Sequence, residues 1–185
     1  MKGPEYYLAH IDLKARAKPD FSTLFVDPEV FHHLTLDLCR PFLRDAIDKV
    51  ACPEAMGFIL GTAVARRLGK GLVPIRKGGK LPTIRSRIVG HSFVDYTKQK
   101  NRFEMNRTLI EPGDRVLVVD DWAETAGQLK GLIGLLEKRG AVIAGVSLLG
   151  FNRIPRTQPL TEQYKLRALI EHSDEAERDL SARIA

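Results

Sequence analysis

The densest group of residues able to do chemistry follows an apolar run near the middle of the chain. Residues 115–119 are mostly aliphatic and end at two adjacent carboxylates, Asp120 and Asp121. Such carboxylates are costly at the end of a buried strand unless they face cations, hydroxyl groups or a metal ion. The small residues of 125–127 then lead into a predicted helix, whose N-terminus favours phosphate. The segment 118–128 therefore predicts a site for a phosphorylated, polyhydroxylated ligand, the alternative being an ordinary strand-to-helix turn with solvated acids.

Positive charge is concentrated in one part of the chain. The 185 residues include 29 Lys and Arg against 23 Asp and Glu, a net charge of +6. Between Arg66 and Arg107 there are 12 basic residues and 2 acids (Asp95 and Glu104), so 12 − 2 gives +10 there and leaves −4 elsewhere. The stretch lacks the interleaved aromatic residues of a single-strand nucleic-acid surface. A small anionic ligand is the preferred interpretation, and nucleic acid is not expected as a partner.

The order of predicted elements indicates a doubly wound, mainly parallel α/β sheet. Helices are expected over 28–50 (interrupted at Pro41), 57–68 (ending at Gly69) and from Leu129 to its end at Gly140, strands over 72–76, 115–120 and 141–149, and a long basic loop with some strand character over 77–100. A strand–helix–strand unit of these lengths is a right-handed crossover, and its ligands bind beyond the carboxyl ends of the strands. The segment 151–185 is expected to be peripheral, ending in a helix capped by Ser173.

Cysteine use and hydropathy predict the compartment. Cys39 and Cys52 lack the spacing of a metal site, and no signal peptide precedes them. No apolar run approaches the roughly 20 residues that a membrane-spanning helix needs. We expect a cytoplasmic protein with reduced thiols and no membrane partner.

Several segments together resemble one family. Residues 118–128 (VVDDWAETAGQ) resemble the phosphoribosyl diphosphate (PRPP) motif of type I phosphoribosyltransferases. Residues 75–82 (IRKGGKLP) are similar to the signature before the flexible loop of adenine phosphoribosyltransferases, and 53–58 (PEAMGF) stand at the place of their pyrophosphate loop. Residues 93–96 (FVDY) resemble the acid–Tyr pair of that flexible loop. The match extends over about residues 20–150, and the chain is identified as a member of this family.

The resemblance implies an enzyme of purine salvage, a pentosyltransferase that moves ribose 5-phosphate from PRPP to a purine base, adenine by default, and releases pyrophosphate. It also implies the type I fold as a single domain over 1–185, with a flexible loop, a small hood over about 1–30 and a homodimeric assembly. The residues expected to bind PRPP are Asp120, Asp121, Trp122, Ala123, Thr125, Ala126, Gly127 and Gln128. Those expected to bind pyrophosphate are Glu54, Ala55, Met56, Arg76, Lys77 and Lys80. Mg²⁺ is the implied cofactor, held by Asp120 and Asp121 through water.

Four positions, besides position 124, depart from the family pattern. Met56 replaces the arginine of the pyrophosphate loop and removes one cation, and Pro19 takes the place of the hood arginine. Ala126 replaces the first glycine of the usual Thr-Gly-Gly and adds a Cβ where the backbone approaches phosphate. Gln128 replaces the usual Thr or Ser. These departures motivate an alternative function, a PRPP-binding regulatory module without transfer activity.

The acid–base group has two candidates. Glu124 stands where adenine enzymes usually have Ala and where enzymes for 6-oxopurines have an Asp, so a carboxylate here could accept the proton of the base. A contact to ribose or base without catalysis and a solvated loop acid are the alternatives. Asp95 and Tyr96 form the other candidate, arriving from the flexible loop. Trp122 would flank the base by stacking or simply pack under the loop. A 6-oxopurine therefore stays open as an alternative substrate.

Overall fold

The computed structural model describes residues 1–11, 20–94 and 99–173. The strands in this part of the chain are β1 (Lys49–Pro53), β2 (Gly71–Lys77), β3 (Ile88–Val94), β4 (Lys100–Asn106), β5 (Arg115–Ala123), β6 (Val142–Arg153) and β7 (Leu166–Ser173). The α-helices are α1 (Pro4–Leu8), α2 (Thr23–Val26), α3 (Pro28–Cys39), α4 (Met56–Leu68), α5 (Gly127–Glu137) and α6 (Gln158–Gln163). Short 3₁₀ turns cover Arg40–Phe42, Arg85–Arg87 and Arg107–Leu109.

All these strands join in one sheet in the order β3-β4-β2-β1-β5-β6-β7. The five neighbouring strands β2, β1, β5, β6 and β7 are parallel to one another. Strand β4 pairs antiparallel with both β2 and β3. Helix α4 connects β1 to β2 and helix α5 connects β5 to β6, so the connections leave the centre of the sheet in opposite directions. The predicted doubly wound, mainly parallel α/β fold is confirmed.

Each face of the sheet carries its own apolar core. Helices α1 to α4 pack on one face, where Leu34, Leu60 and Leu117 are fully buried. Helices α5 and α6 pack on the other face, where Leu132 and Val118 are fully buried. Covering both faces explains why β5 is a continuous aliphatic run and not an alternating one. The packing on both faces fixes the position of the central strands and of their carboxyl ends.

Local sequence signals fix the ends of the helices before and after β1. Asp27 caps α3, since its Oδ1 accepts hydrogen bonds from the N–H groups of Glu29 (2.8 Å) and Val30 (3.1 Å). The predicted stop of α4 at Gly69 is confirmed, with φ +65° there. The predicted helical pattern over 28–50 is wrong at its end, because residues from Lys49 onward form β1.

Two further predictions are only partly right. The segment 77–100, expected as a basic loop with some strand character, contains a regular strand, β3, which pairs with β4 over seven residues of each strand. The segment 151–185, expected to be peripheral, continues β6 to Arg153 and supplies β7, whose Leu166 and Ile170 are buried. Ser173 ends this strand, and the helix predicted after it lies outside the described residues. Within the described ranges, no helix has the length and apolar character needed to cross a membrane.

Candidate active site

The candidate site lies at the carboxyl ends of β1, β2 and β5. β1 stands between β2 and β5, and the helices that follow β1 and β5 lead to opposite sides of the sheet. In open α/β sheets such a reversal leaves a crevice in which ligands bind. Three segments predicted to bind one ligand meet at this edge: 53–56 after β1, 76–80 after β2 and 120–128 after β5.

The two adjacent carboxylates differ in burial. Asp120 is 3% exposed, and its Oδ1 accepts the N–H of Asp121 (2.9 Å). Asp121 is half-buried and accepts the N–H of Trp122 (2.7 Å). Burial raises the pKa of the Asp120 carboxyl well above its usual value, and the neighbouring charge of Asp121 adds to the increase. Gly57 in the first turn of α4 lies against this carboxylate, since a Cβ at Gly57 would be 3.0 Å from Asp120 Oδ1.

The loop between β5 and α5 has the geometry of an anion site. Ala126 adopts a left-handed backbone with φ +67°, and Gly127 begins α5. Alanine has no side-chain acceptor for the first N–H groups of the helix, so these groups stay available to an anion. The side chains of Ala123 and Ala126 are buried in the core, which leaves their backbone to contact a ligand. Thr125 and Gln128 are half-buried beside them.

The predicted pyrophosphate residues converge on one carboxylate. Glu54 Oε2 accepts from Arg76 Nε (2.5 Å), and Glu54 Oε1 lies 3.0 Å from Lys80 Nζ. The N–H of Lys77 donates to the same carboxylate (3.2 Å). Burial would raise the pKa of Glu54, but hydrogen bonds from Lys80 and Arg76 outweigh it and hold the pKa below its usual value. Arg76 and Lys80 are thus held close together at the site, and the Glu54 carboxylate balances their positive charge in the free protein. Met56, half-buried, begins α4 beside them.

Glu104 is a buried acid of the site region that the sequence analysis did not assign. It is 8% exposed on β4. Its Oε2 accepts the N–H of Gly79 (2.9 Å), and its Oε1 accepts Arg102 Nε (2.9 Å). A signal existed, because Glu104 is one of only two acids in the basic stretch between Arg66 and Arg107.

Trp122 faces the N-terminal part of the chain. Its ring stacks on Phe21 with 5.5 Å between ring centroids and 11° between planes. Its Nε1 donates to Asn152 Oδ1 (2.9 Å) on β6. The ring also lies over Gly150, where a Cβ would be 1.9 Å from Trp122 Cε3. The indole is therefore fixed from three sides, and Phe21 is an aromatic partner that the sequence analysis did not find.

Of the candidates for the acid–base group, Glu124 lies within the described residues. Glu124 is exposed on the loop after β5. Asp95 and Tyr96 lie outside the described residues, as does Pro19. Their assigned roles stay predictions.

Known relatives identify the family. The chain matches the family described as phosphoribosyl transferase domain over residues 32–178. It is 44% identical to adenine phosphoribosyltransferase of Dinoroseobacter shibae over 131 residues, which are 70% of each chain. It is 37% identical to the adenine phosphoribosyltransferase of Rhodopirellula baltica over 164 residues, 88% of this chain and 77% of the relative.

Solved structures similar to this chain belong to the same family. The adenine phosphoribosyltransferase of Rhodothermus marinus superposes with a TM-score of 0.78 and 29% identity, covering 91% of this chain and 97% of that one. The Giardia lamblia enzyme, solved with 9-deazaadenine, gives a TM-score of 0.81 and 25% identity over 93% of this chain and 99% of that one. The predicted family and the predicted enzyme class are confirmed. The chain belongs to the phosphoribosyltransferase family, among the adenine phosphoribosyltransferases.

Proposed function

We propose that the protein transfers ribose 5-phosphate from PRPP to a ring nitrogen of adenine and releases pyrophosphate. One observation carries the proposal: the carboxylates of Asp120 and Asp121 lie between an anion-binding loop and a cluster of cations at one edge of the sheet. This arrangement matches a substrate with a 5-phosphate, ribose hydroxyls and a pyrophosphate in that order. The names of the relatives, all adenine phosphoribosyltransferases, support adenine as the base.

The cations after β2 serve the leaving group. Breaking the bond between ribose C1 and the pyrophosphate oxygen develops positive charge on the sugar and negative charge on pyrophosphate. Arg76, Lys77 and Lys80 are the groups available to receive that charge. Arg76 and Lys80 are paired with Glu54 in the free protein, and this carboxylate holds them together where pyrophosphate would leave. The N–H groups of 125–128 would meanwhile bind the 5-phosphate.

Magnesium is proposed to enter with the substrate. The described residues contain no group of three or more His, Cys, Asp or Glu that could hold a metal ion alone. Mg²⁺ commonly binds through one or two carboxylates together with substrate phosphates and waters, and Asp120 and Asp121 provide such a pair. When bound, the ion neutralises charge on pyrophosphate. The carboxylates orient the ribose hydroxyls and water molecules bound to the ion.

Base recognition is proposed to involve Trp122 and the N-terminal hood. Phe21 and Trp122 present aromatic faces suited to a purine. Glu124, exposed beside the carboxylate pair, would accept the proton of the base, with Asp95 and Tyr96 as the alternative. A carboxylate at position 124 is also the observation that favours a second candidate substrate, a 6-oxopurine.

The test is a panel of nucleobases incubated with the purified protein, PRPP and Mg²⁺, with nucleotide measured by chromatography. Formation of AMP supports the proposal, whereas formation of IMP or GMP instead points to a 6-oxopurine enzyme. PRPP binding without turnover of any base would identify a regulatory module. Glu124→Ala in the same assay should lose turnover more than PRPP affinity if Glu124 accepts the proton.

We also propose that residues 1–185 form a single domain, that the protein assembles as a homodimer and that it acts in the cytoplasm. Light scattering on the purified chain tests the dimer, and limited proteolysis tests the single domain. Cell fractionation tests the location.

A further inference from the structure

Glu104 is a buried acid with no role in the transfer described above. Its carboxylate is 8% exposed and takes two hydrogen bonds, one from the N–H of Gly79 and one from Arg102 Nε, each 2.9 Å long. Burying a carboxylate is costly unless such partners compensate it. Glu104 therefore constrains, on its two sides, the segments that its partners belong to or contact: the turn that contains Gly79, and strand β3, which Arg102 contacts.

One of those sides is the pyrophosphate turn, defined as residues 76–80. Gly79 has φ +80°, and the N–H of Gly78 donates to the carbonyl of Arg102 (2.8 Å). Arg76 lies directly opposite Glu104 in the antiparallel pair of β2 and β4. Strand β4 thus holds this turn through its pairing with the end of β2, the backbone bond to Gly78 and the side-chain bond to Gly79. The turn carries the proposed pyrophosphate cations Lys77 and Lys80 on its two sides.

The other side is β3. The guanidinium of Arg102 lies over Gly90, where a Cβ would be only 2.4 Å from Nη2. Gly90 is opposite Glu104 in the pair of β3 and β4. Glu104 therefore links β3, through Arg102, to the backbone of the pyrophosphate turn.

We propose that Glu104 is a positioning residue for pyrophosphate. Through Gly79 it sets the spacing of Lys77 and Lys80, and through Arg102 it makes that spacing depend on the position of β3. This inference rests on the proposed function, because it assigns the turn to the leaving group. Glu104 itself does not contact the substrate.

The test compares Glu104→Gln with the wild type in steady-state transfer and in calorimetric binding of inorganic pyrophosphate with Mg²⁺. The amide keeps an acceptor but removes the charge that holds Arg102. We expect the KM for PRPP and the Kd for pyrophosphate to rise about three- to tenfold. The KM for adenine and kcat should change by less than about twofold. Glu111→Gln is the matched control, since Glu111 is exposed in the turn before β5, at the opposite end of the sheet.

A second variant covers the case in which Glu104→Gln does not fold. Arg102 is half-exposed at the side chain, so Arg102→Gln keeps the core intact. Arg102→Gln should also raise the Kd for pyrophosphate, and the double variant should have a Kd no higher than that of Glu104→Gln alone.

The inference is overturned if pyrophosphate binds both variants as it binds the wild type, or if only the melting temperature falls. Equal losses in the KM for adenine and the KM for PRPP would also overturn it. A wild type that forms no nucleotide with any base would instead refute the proposed function. An active wild type with unchanged variants would refute the positioning role alone.

Discussion

Gln128 in the first turn of α5 donates a hydrogen bond from Nε2 to Oδ2 of Asp120, 3.2 Å away at the end of β5. The family usually has a Thr or Ser at position 128, so this bond belongs to the present chain. It joins the phosphate-binding loop to the buried carboxylate, and it lowers the pKa of an acid whose burial raises it. The bond offsets only part of this increase, and the pKa of the Asp120 carboxyl stays well above its usual value.

Asp120→Asn should separate stability from function. Because an amide does not carry the cost of burying a carboxylate beside Asp121, we expect the free energy of unfolding at pH 7 to increase by about 1 kcal/mol. The Gln128 amide can rotate to accept from the new amide. Transfer activity should fall at least about a hundredfold, since the ribose hydroxyls and metal-bound water would lose a carboxylate acceptor and meet a neutral amide. Chemical denaturation in EDTA, alongside the transfer assay, measures both.

A drop in stability for Asp120→Asn would contradict this account, because it would mean that the carboxylate supports the fold. Asp45→Asn is a useful control. Asp45 forms an ion pair with Lys165 (2.6 Å) and is not part of the site. That variant should leave the transfer activity unchanged.

The pH dependence of folding should report the pairing of Glu54. Its folded pKa is held below the usual 4.5, so the stability it contributes is fully present above about pH 4.5 and is lost as the pH falls through the folded pKa. Glu54→Gln should therefore be less stable than the wild type at pH 7, by about 1 kcal/mol, and the difference should shrink toward pH 3. Thermal unfolding across this range is the measurement.

The same variant should weaken PRPP binding, because Arg76 and Lys80 lose the carboxylate that gathers them. Asp48→Asn is the matched comparison. Asp48 pairs with Arg115 (2.9 Å) at the start of β5, far from the site edge, and that contact also lowers the pKa of its carboxyl. It should show a similar trend with pH but an unchanged KM for PRPP. If both variants alter PRPP binding equally, Glu54 has no special role.

How much of the fold could be predicted from the sequence depends on whether a local pattern of residues marks each element. The apolar run of β5 and the helix stop at Gly69 are local signals, and both were predicted correctly. β1 was missed because its buried core, Val50 to Cys52, is too short to interrupt the helical spacing before it. β7 was missed because it lies at the sheet edge, and only Leu166 and Ile170 of its eight residues are buried. A strand with so few buried side chains gives a weak hydropathy signal.

The site was predicted through its motifs, and the contacts between distant segments were not. The segment 118–128 indicates a binding role by its own residues, and the segments 53–58 and 75–82 do so through their resemblance to family motifs. The stacking of Phe21 on Trp122 and the bond from Gly79 to Glu104 depend on how the chain folds back on itself. No local pattern encodes such pairs, which is why the structure adds them.

Trp122 is the only tryptophan in the chain, so its fluorescence reports on the proposed base site. Adenine added in the presence of pyrophosphate and Mg²⁺ should change the intensity, since a purine would alter the surroundings of a ring now stacked on Phe21. Trp122→Leu should raise the KM for adenine about three- to tenfold and leave the KM for PRPP within about twofold. Phe25→Leu, a change in a ring that contacts Phe31 instead, is the control. An unchanged KM for adenine would place the base elsewhere.

Ala126→Gly tests the cost of the departure in the phosphate loop. A left-handed alanine costs about 1–2 kcal/mol, whereas glycine adopts this backbone freely. Glycine also loses a buried methyl group, worth about 0.8 kcal/mol, and gains freedom in the unfolded chain. These effects nearly cancel, so the free energy of unfolding should change by less than about 1 kcal/mol.

Of these three effects, only the left-handed backbone strain at position 126 bears on phosphate binding. Glycine relieves the left-handed strain at position 126, so the loop adjusts to the 5-phosphate at a lower cost and the KM for PRPP should fall about two- to fivefold. Ala126→Val is the opposite change, because a β-branched residue is strongly disfavoured at φ +67°. That variant should be less stable and bind PRPP more weakly. If glycine weakens PRPP binding, then the alanine methyl group supports the loop and its backbone strain does not limit affinity.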